Sequence, residues 1–332
     1  NVAVNASSVN SMTDTYTNLN LAYNAGIAGT ISGLGNEAVT ISDTTSAANV
    51  NTIAGRTSGI LTATITTGAV TSTLAAITNV DANDVITFTT NDTSVDASDL
   101  VALALKVDTL GVNSVTTITE AYNTANVATV VTNALNITGN TELVSITGGA
   151  ISATDANTIL GATSGIVTAT VTADTAANLN AALTNATGTD ALTLTINSTS
   201  TSSANLISLD GKTSVAVGAT AITELTGNAT DVKTALASSG ITTVTNGSLA
   251  VTVSGSTSVA DINTINADSA TGIVTATATE TAAATLIGLT TTGTDAITVT
   301  MAAASTAAAD LNTIDGKTSV AVGATAITEL TG

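Results

Sequence analysis

The side chains of this sequence that could do chemistry are almost all carboxylates. The 332 residues include 24 Asp and Glu against five Lys and Arg, with no His and no Cys. Three aspartates recur at nearly equal intervals: Asp84, Asp190 and Asp295 lie 106 and 105 residues apart, in ANDVITF, GTDALTL and GTDAITV. Each stands two residues before the first inward-facing apolar residue of a predicted strand. A carboxylate at a fixed repeat position indicates either a cation ligand or a structural turn.

A calcium site and a turn make different demands on these aspartates. Ca²⁺ takes about six to eight oxygen ligands, whereas this pattern offers one Asp per repeat, without a D-x-D-x-D-G loop or a glycine-rich nonapeptide. A turn needs only a carboxylate that accepts hydrogen bonds from nearby backbone N–H groups. We therefore predict turn aspartates and no cofactor, with bound Ca²⁺ as the alternative. Asp210 and Asp315, both in DGKTS, predict Asp-Gly turns.

The sequence lacks the residue types on which most catalytic sites depend. Without His and Cys, nucleophile–histidine triads and imidazole metal sites are excluded. GLGNEA, from Gly33, lacks the lysine of a phosphate-binding loop and an intact G-x-G-x-x-G. Five glutamates stand apart in the sequence with no paired-carboxylate arrangement: Glu37, Glu120, Glu142, Glu224 and Glu280. We predict that the chain is not an enzyme and has no catalytic, cofactor-binding or metal residues and no small-molecule substrate.

The charge balance narrows the possible partners. The formal net charge is −19, and the few cations are scattered along the chain at Arg56, Lys106, Lys212, Lys233 and Lys317. Nucleic acids require clustered Lys and Arg, and anionic membrane surfaces are disfavoured for the same reason. No apolar run approaches the roughly 18 residues that a membrane-spanning helix needs. We predict no nucleic-acid partner and no membrane insertion; the lack of cysteine favours an exterior location.

Alternation of apolar residues with threonine predicts β-strands. TSGILTATIT starts at Thr57 and TSGIVTATVT at Thr163, and the repeated glycines Gly59, Gly165 and Gly272 lie 106 and 107 residues apart. A period of two sends alternate side chains to opposite faces. The predicted inward residues are Val39, Ile41, Leu61, Ala63, Ile65, Ile86, Phe88, Val167, Ala169, Val171, Leu192, Leu194, Ile196, Val274, Ala276, Ala278, Ile297, Val299 and Met301. The predicted outward residues are Thr62, Thr64, Thr66, Thr87, Thr89, Thr168, Thr170, Thr172, Thr193, Thr195, Thr275, Thr277, Thr279, Thr298 and Thr300.

Short helices are predicted between these strands. Apolar residues spaced i, i+3 follow Ser, Thr or Asp, as in AANVNTI and DLVALALKVDTL. They recur about every 26 residues, and one strand with one helix is too little chain to fold alone. We predict an α/β solenoid of about 12 strand–helix units with a parallel sheet. The alternative is an all-β right-handed parallel β-helix, since ANTIL and ANLISL also suit strands.

The repeats divide the chain. We predict that residues 1–36 form a partial or irregular N-terminal unit and that residues 37–332 form the solenoid, with superrepeats near 59–164, 165–271 and 272–332. The sequence GKTSVAVGATAITELTG at 316–332 is identical to residues 211–227, which continue into NATDVKTALASSG. We therefore expect the last unit to be cut in mid-repeat and the chain to be a fragment of a longer protein.

Threonine faces have three possible uses. They can be a solvated outer surface, a surface for assembly with other copies, or a ladder that recognises an ordered lattice such as ice. The ladder is interrupted at VAVGATA, residues 215–221 and 320–326, where the outward residues are Ala and Gly.

Residues 15–59 and 309–332 carry a resemblance to a known class. With their Thr, Ala and Asn repeats they resemble very long repeat proteins of bacterial, especially cyanobacterial, surfaces and extracellular matrix. The resemblance implies an exported cell-surface or extracellular component and brings no site residues. We predict a structural protein that self-associates into a homopolymer, as an extracellular filament, sheath or surface layer. The alternatives are an adhesin stalk and an ice- or surface-binding protein.

Overall fold

The chain is α/β, with short strands and short helices in alternation. The computed structural model describes residues 2–122, 126–243, 249–269 and 271–332, so Asn1 of the predicted N-terminal unit lies outside the described residues. The helices are α1 Tyr16–Ile27, α2 Ala47–Ala54, α3 Val70–Ala76, α4 Ala97–Ala104, α5 Val127–Thr138, α6 Ala153–Ala162, α7 Ala176–Ala182, α8 Ser203–Asp210, α9 Ala229–Ala237, α10 Val259–Asp268, α11 Ala283–Leu286 and α12 Ala308–Asp315. The strands are β1 Val4–Asn5, β2 Ser11–Asp14, β3 Ile31–Ser32, β4 Ala38–Ile41, β5 Leu61–Thr64, β6 Val85–Thr89, β7 Ser94–Asp96, β8 Thr109–Gly111, β9 Thr117–Ala121, β10 Leu143–Ile151, β11 Val167–Val171, β12 Ala191–Thr193, β13 Ser200–Ser202, β14 Val217–Gly218, β15 Glu224–Gly227, β16 Ile241–Thr242, β17 Ala250–Thr257, β18 Val274–Ala278, β19 Ala296–Thr298, β20 Ser305–Ala307 and β21 Glu329–Thr331.

Two compact bodies divide the fold. The N-terminal body comprises residues 1–149 and 158–167, and the C-terminal body comprises residues 150–157 and 168–332. In the N-terminal body a parallel sheet has the order β2-β4-β5-β6-β8. Strand β9 lies between β7 and β10 in a second parallel set, and β1 pairs with β3.

The C-terminal body repeats this arrangement. Its largest sheet has the order β13-β15-β17-β18-β19, and all of its pairs are parallel. Strands β11 and β12, β14 and β16, and β20 and β21 form further parallel pairs. A strand that pairs in parallel with the next strand needs a crossover between them, and the short helices supply it.

Strand partners come from successive repeat units. Paired residues are 21 apart for Ala276 and Ile297 and 27 apart for Met12 and Val39, and the other pairs fall between these values. The predicted α/β class with parallel strands and repeated strand–helix units is confirmed. The all-β alternative is not observed, because ANTIL lies in α6 and ANLISL lies in α8.

Two local predictions differ from the structure. The helix predicted through DLVALALKVDTL ends at Ala104, and Leu110 lies in β8 instead, where it pairs with Phe88 of β6. Strand pairing therefore prevails over the local helical spacing. Asp210 and Asp315 are not in Asp-Gly turns; each is the last residue of a helix, α8 or α12, and the glycine that follows is a right-handed C-cap.

Polar N-caps start several of the helices, as predicted from the sequence. The side chain of Ser46 accepts a hydrogen bond from Asn49 N, and that of Asp96 accepts from Ser98 N and Asp99 N. Residues Thr175, Ser202, Asn228 and Ser258 cap α7, α8, α9 and α10 in the same way. Each cap satisfies a backbone N–H that has no partner within its own helix.

The alternation sorts side chains as predicted. All nineteen residues that were expected to point inward are buried, and the fifteen outward threonines are exposed or half-exposed. The core is built mostly from small side chains, and the largest fully buried one is Phe88. The strands with this alternation thus present one apolar face to the core and one threonine face outward.

The repeated glycines mark places where neighbouring units touch. A Cβ at Gly59 or Gly165 would overlap the carbonyl oxygen of Glu37 or Glu142, in the preceding repeat unit. Thr57 Oγ1 and Thr163 Oγ1 donate to these same carbonyl oxygens, at 2.7 and 2.8 Å. In the TSG sequence the threonine therefore binds the preceding unit, and the glycine permits the close approach.

Candidate functional site

The repeated aspartates hold successive units together. Asp84 Oδ1 accepts a hydrogen bond from Leu61 N of the preceding unit at 2.8 Å, and Asp295 Oδ1 accepts from Val274 N at 2.9 Å. Their Oδ2 atoms accept from N–H groups three residues earlier, Asp81 N at 3.2 Å and Thr292 N at 2.8 Å. The carboxylates are buried, so each links its own turn to the adjacent strand.

Asp190 occupies the same position in the middle superrepeat. Its Oδ2 accepts from Thr187 N at 2.9 Å and from Thr187 Oγ1 at 3.0 Å. The prediction of turn aspartates bound to backbone N–H groups is confirmed at all three positions. Within the described ranges, the structure has no group of three or more acidic side chains that could hold a metal ion.

The GLGNE loop surrounds its own glutamate. Glu37 Oε2 accepts from Gly35 N at 2.8 Å and from Asn36 N at 3.1 Å, while Tyr23 Oη donates to Oε1. Burial alone would raise the pKa of Glu37, but the hydrogen bonds from Tyr23 and from the backbone outweigh it and hold the pKa below its usual value. Burial and the same hydrogen bond raise the pKa of Tyr23. The loop N–H groups thus bind an internal carboxylate.

Glu120 lies close to a carboxylate, that of Asp96, which is far from it in the sequence. Ser98 N, in the first turn of α4, donates to both Asp96 Oδ1 and Glu120 Oε2 at 3.1 Å. Burial, and then the negative charge of Asp96, raise the pKa of Glu120. Glu120 therefore has an acidic neighbour, contrary to the prediction of isolated glutamates. The only sequence signal is its position one repeat length after the helix N-cap.

Similar carboxylates bind the first turns of other helices from the following unit. Asp43 accepts from Tyr16 N at 2.8 Å, Asp92 accepts from Val70 N at 2.8 Å, and Glu280 accepts from Val259 N at 2.9 Å. These bonds join α1, α3 and α10 to the next repeat unit. A negative charge is favourable at a helix N-terminus because the free N–H groups and the helix dipole are positive there.

An asparagine contact repeats in both bodies. Asn51 Oδ1 accepts from Asn79 N at 2.6 Å in the N-terminal body, and Asn157 Oδ1 accepts from Asn185 N at 2.8 Å in the C-terminal body. Asn263 Oδ1 accepts from Thr290 N at 2.8 Å in the same manner. Each contact joins a helix to the loop of the following unit, 27 or 28 residues later.

Lysine side chains also make contacts within the chain. Lys106 Nζ donates to Val80 O at 3.0 Å, Lys212 Nζ donates to Leu183 O at 2.6 Å, and Lys233 forms an ion pair with Asp261. The acceptor of each bond lies 26 to 29 residues from its lysine. These side chains therefore link neighbouring units.

The threonine face consists of short ladders. Thr87 pairs with Thr64 on one side and Thr109 on the other, while in the C-terminal body Thr170 pairs with Thr193, and Thr277 with Thr298. Other positions of the face are broken, since Thr62 pairs with Val85, Thr168 with Ala191, and Thr275 with Ala296. The face is regular over two or three strands.

Comparison with known proteins does not identify a function. The chain matches no protein-family model, and neither curated proteins nor solved structures gave a match. Among the described helices, none has the length and apolar character to cross a bilayer.

Proposed function

We propose that this chain is a structural repeat protein whose strand–helix units stack as a solenoid and associate into an extracellular homopolymer: a filament, sheath or surface layer. The observation that carries the proposal is the use of polar side chains. Carboxylates, asparagines and lysines of many units bond to the unit before or after them. In a solenoid each repeat contacts only its neighbours, so bonds between adjacent units contribute directly to the stability of the stack.

The threonine face supplies the surface for lateral association in this proposal. Thr170 and Thr193 are exposed and lie on adjacent paired strands. Their short, β-branched side chains lose little rotamer freedom when they are covered. Sheets that carry such faces can therefore pack against one another at low entropic cost.

Electron microscopy with charged variants tests the proposal. We expect the unaltered chain to form long uniform fibres or sheets in negative stain, and Thr170→Lys with Thr193→Lys to prevent them while the far-UV circular dichroism is unchanged. The matched control is Thr234→Lys with Thr264→Lys, which places the same charges on exposed positions of α9 and α10. Monomeric rods under all conditions would contradict the polymer and favour an adhesin stalk.

A second candidate, an ice- or surface-binding protein, is favoured by one observation. Threonines that pair between neighbouring strands lie about 4.7–4.9 Å apart, and Thr64, Thr87 and Thr109 continue this spacing over three strands, with Thr87 half-exposed. Thermal hysteresis of a solution of the monomer, abolished by Thr87→Lys, is the result expected from this function. A freezing point that follows solute concentration alone would exclude it.

A further inference from the structure

The single arginine of the chain follows a helix at a position where other repeat units have a lysine. The backbone N–H groups of Arg56, Lys106 and Lys212 each donate to the carbonyl oxygen three residues earlier, in α2, α4 or α8. Both lysine side chains continue to a carbonyl oxygen of the preceding unit. The side chain of Arg56 is half-buried, yet it has no hydrogen bond or ion pair within the described ranges. No described residue therefore neutralises its charge.

The fold does not need an arginine at this position. The sequence NTIAGRTSG at 51–59 recurs as NTILGATSG at 157–165, where Ala162 takes the place of Arg56. The backbone bonds after the two residues match, since Ser58 N donates to Gly35 O at 2.8 Å and Ser164 N donates to Asn140 O at 3.0 Å. The same local structure thus forms with alanine, and the guanidinium group is available for another role.

Arg56 lines a groove of about 390 Å³ in the N-terminal body. The C-terminal end of α1 and the segment that follows it form the other walls, with the apolar side chains of Ile27, Ile31 and Leu34 among the lining residues. Ile27 is 70% exposed, and Ile31 and Leu34 are half-buried. One side of the groove is therefore cationic and another is apolar and accessible.

The groove depends on a segment that the second superrepeat lacks. Residues 28–36 separate α1 from Glu37, whereas residues 139–141 separate α5 from the equivalent Glu142. The longer segment supplies Ile31 and Leu34 to the lining. The arginine and the apolar wall thus occur together in the first superrepeat, and both are missing from the second.

We propose that this groove binds a free aliphatic carboxylate, whose anionic group pairs with Arg56 and whose apolar chain contacts Ile27, Ile31 and Leu34. A guanidinium is always charged and presents a rigid fork of donors that matches a carboxylate. The volume of the groove lies in the range of small-molecule sites, about 300–1,000 Å³. The formal net charge of −19 disfavours anions over the rest of the surface, so binding requires both parts of the groove. This inference does not depend on assembly into a homopolymer.

Titration of the full chain with hexanoate tests the groove. Because the chain has one arginine, the Nε–H group of Arg56 gives a single side-chain signal in NMR spectra. We expect hexanoate to shift this signal, and the amide signals of Gly29 and Gly33 in the lining, in a saturable manner. Acetate lacks the apolar chain and 1-hexanol lacks the charge, so each should bind at least about tenfold more weakly.

Two variants separate the contributions of charge and apolar contact. Arg56→Ala should weaken hexanoate binding by about tenfold or more, measured on the glycine amides, and should keep the urea unfolding midpoint because Ala162 fills the equivalent position. Ile27→Ser should weaken binding several-fold, by about the loss of its apolar contact. The matched control is Leu21→Ser, at another exposed residue of α1, which should bind hexanoate as the unaltered chain does.

Several results would overturn the inference. Absence of a saturable shift would do so, as would equal affinity for acetate or 1-hexanol, or undiminished binding by Arg56→Ala. Loss of fibres in Arg56→Ala, without hexanoate binding by the unaltered chain, would assign the arginine to a contact between copies instead. Hexanoate binding by a chain that never forms fibres would refute the homopolymer and support the groove.

Discussion

At the residue scale, small side chains at repeated positions let the units approach closely. The glycines Gly59, Gly165 and Gly272 each face a backbone carbonyl in the preceding unit at a distance that admits no Cβ. Threonines two residues earlier at Thr57 and Thr163 donate to the same carbonyls. The repetition of TSG therefore has a steric cause and a hydrogen-bonding cause.

Substitution of one of these glycines should destabilise the protein. In Gly59→Ala the new methyl group overlaps Glu37 O, and overpacking of this kind costs about 1–3 kcal/mol. The measurement is the midpoint of urea unfolding. Gly68→Ala is the control, because a Cβ there makes only ordinary contacts; its midpoint should stay the same or rise. Equal midpoints for the two variants would contradict the steric explanation.

The buried pair of Tyr23 and Glu37 predicts a pH dependence. The pKa of Glu37 is lower in the folded chain than its usual value, so the carboxylate stabilises the fold above about pH 4.3 and this stability is lost as the pH falls through the folded pKa. Tyr23→Phe removes a hydrogen bond to a charged group and should cost about 1.5–3 kcal/mol at pH 7.

The cost should shrink as Glu37 becomes protonated. The measurement is the difference in the free energy of unfolding by urea between the unaltered chain and Tyr23→Phe, at pH 7 and at pH 3. Tyr122→Phe, at an exposed tyrosine, should have no effect at either pH. A constant difference between Tyr23→Phe and the unaltered chain would show that the ionised carboxylate does not contribute.

At the scale of single secondary-structure elements, the short helices would not be stable in isolation. Helix α3 has seven residues and α4 has eight, well below the roughly 12–15 residues at which isolated helices become even marginal in water. Carboxylates of the following unit bind the first turns of both helices, through Asp92 and Glu120. Helix formation is thereby coupled to the stacking of the next unit.

Removal of such a carboxylate should act like the loss of an N-cap. Asp92→Ala leaves Val70 N without its acceptor and should destabilise the N-terminal body by about 0.5–2 kcal/mol. Hydrogen exchange of the α3 amides should quicken more than that of α1, which locates the effect. Asp268→Ala, at an exposed position at the C-terminal end of α10, should not destabilise the chain. A uniform change over both helices would argue against local capping.

At the scale of the whole molecule, many of the acidic side chains accept hydrogen bonds within their own unit or from a neighbouring unit. The formal net charge is −19, yet many carboxylates accept backbone N–H groups, including Asp84, Asp190 and Asp295. Such bonds keep each ionised group solvated by the protein itself. Screening by salt should therefore have little effect on the free energy of unfolding.

Removal of calcium tests whether a bound cation contributes to the fold. Because the carboxylates of Asp84 and Asp295 are already occupied by backbone donors, we expect a chelator, or millimolar Ca²⁺, to leave the unfolding temperature unchanged. Mg²⁺ at equal concentration controls for general screening by a divalent cation. A rise in unfolding temperature specific to Ca²⁺ would support the alternative hypothesis, that the chain binds calcium.

Sequence patterns alone predicted the features that depend on neighbouring residues in the chain. Alternation in Leu61, Ala63 and Ile65 fixed which side chains are buried, and the polar residues before short apolar runs marked helix starts such as Ser46. These patterns report steric and capping rules that act within one turn or one strand. The class of fold followed from their recurrence.

Contacts between units were the part that only the tertiary structure decided. Leu110 has helical spacing yet lies in a strand, because its partner is Phe88 of the preceding unit. Asp96 and Glu120 share Ser98 N although 24 residues separate them in sequence. A residue's own neighbours in sequence set the repeat unit, but the side chains of the adjacent unit determine the surroundings of that residue, and only the stacked structure shows them.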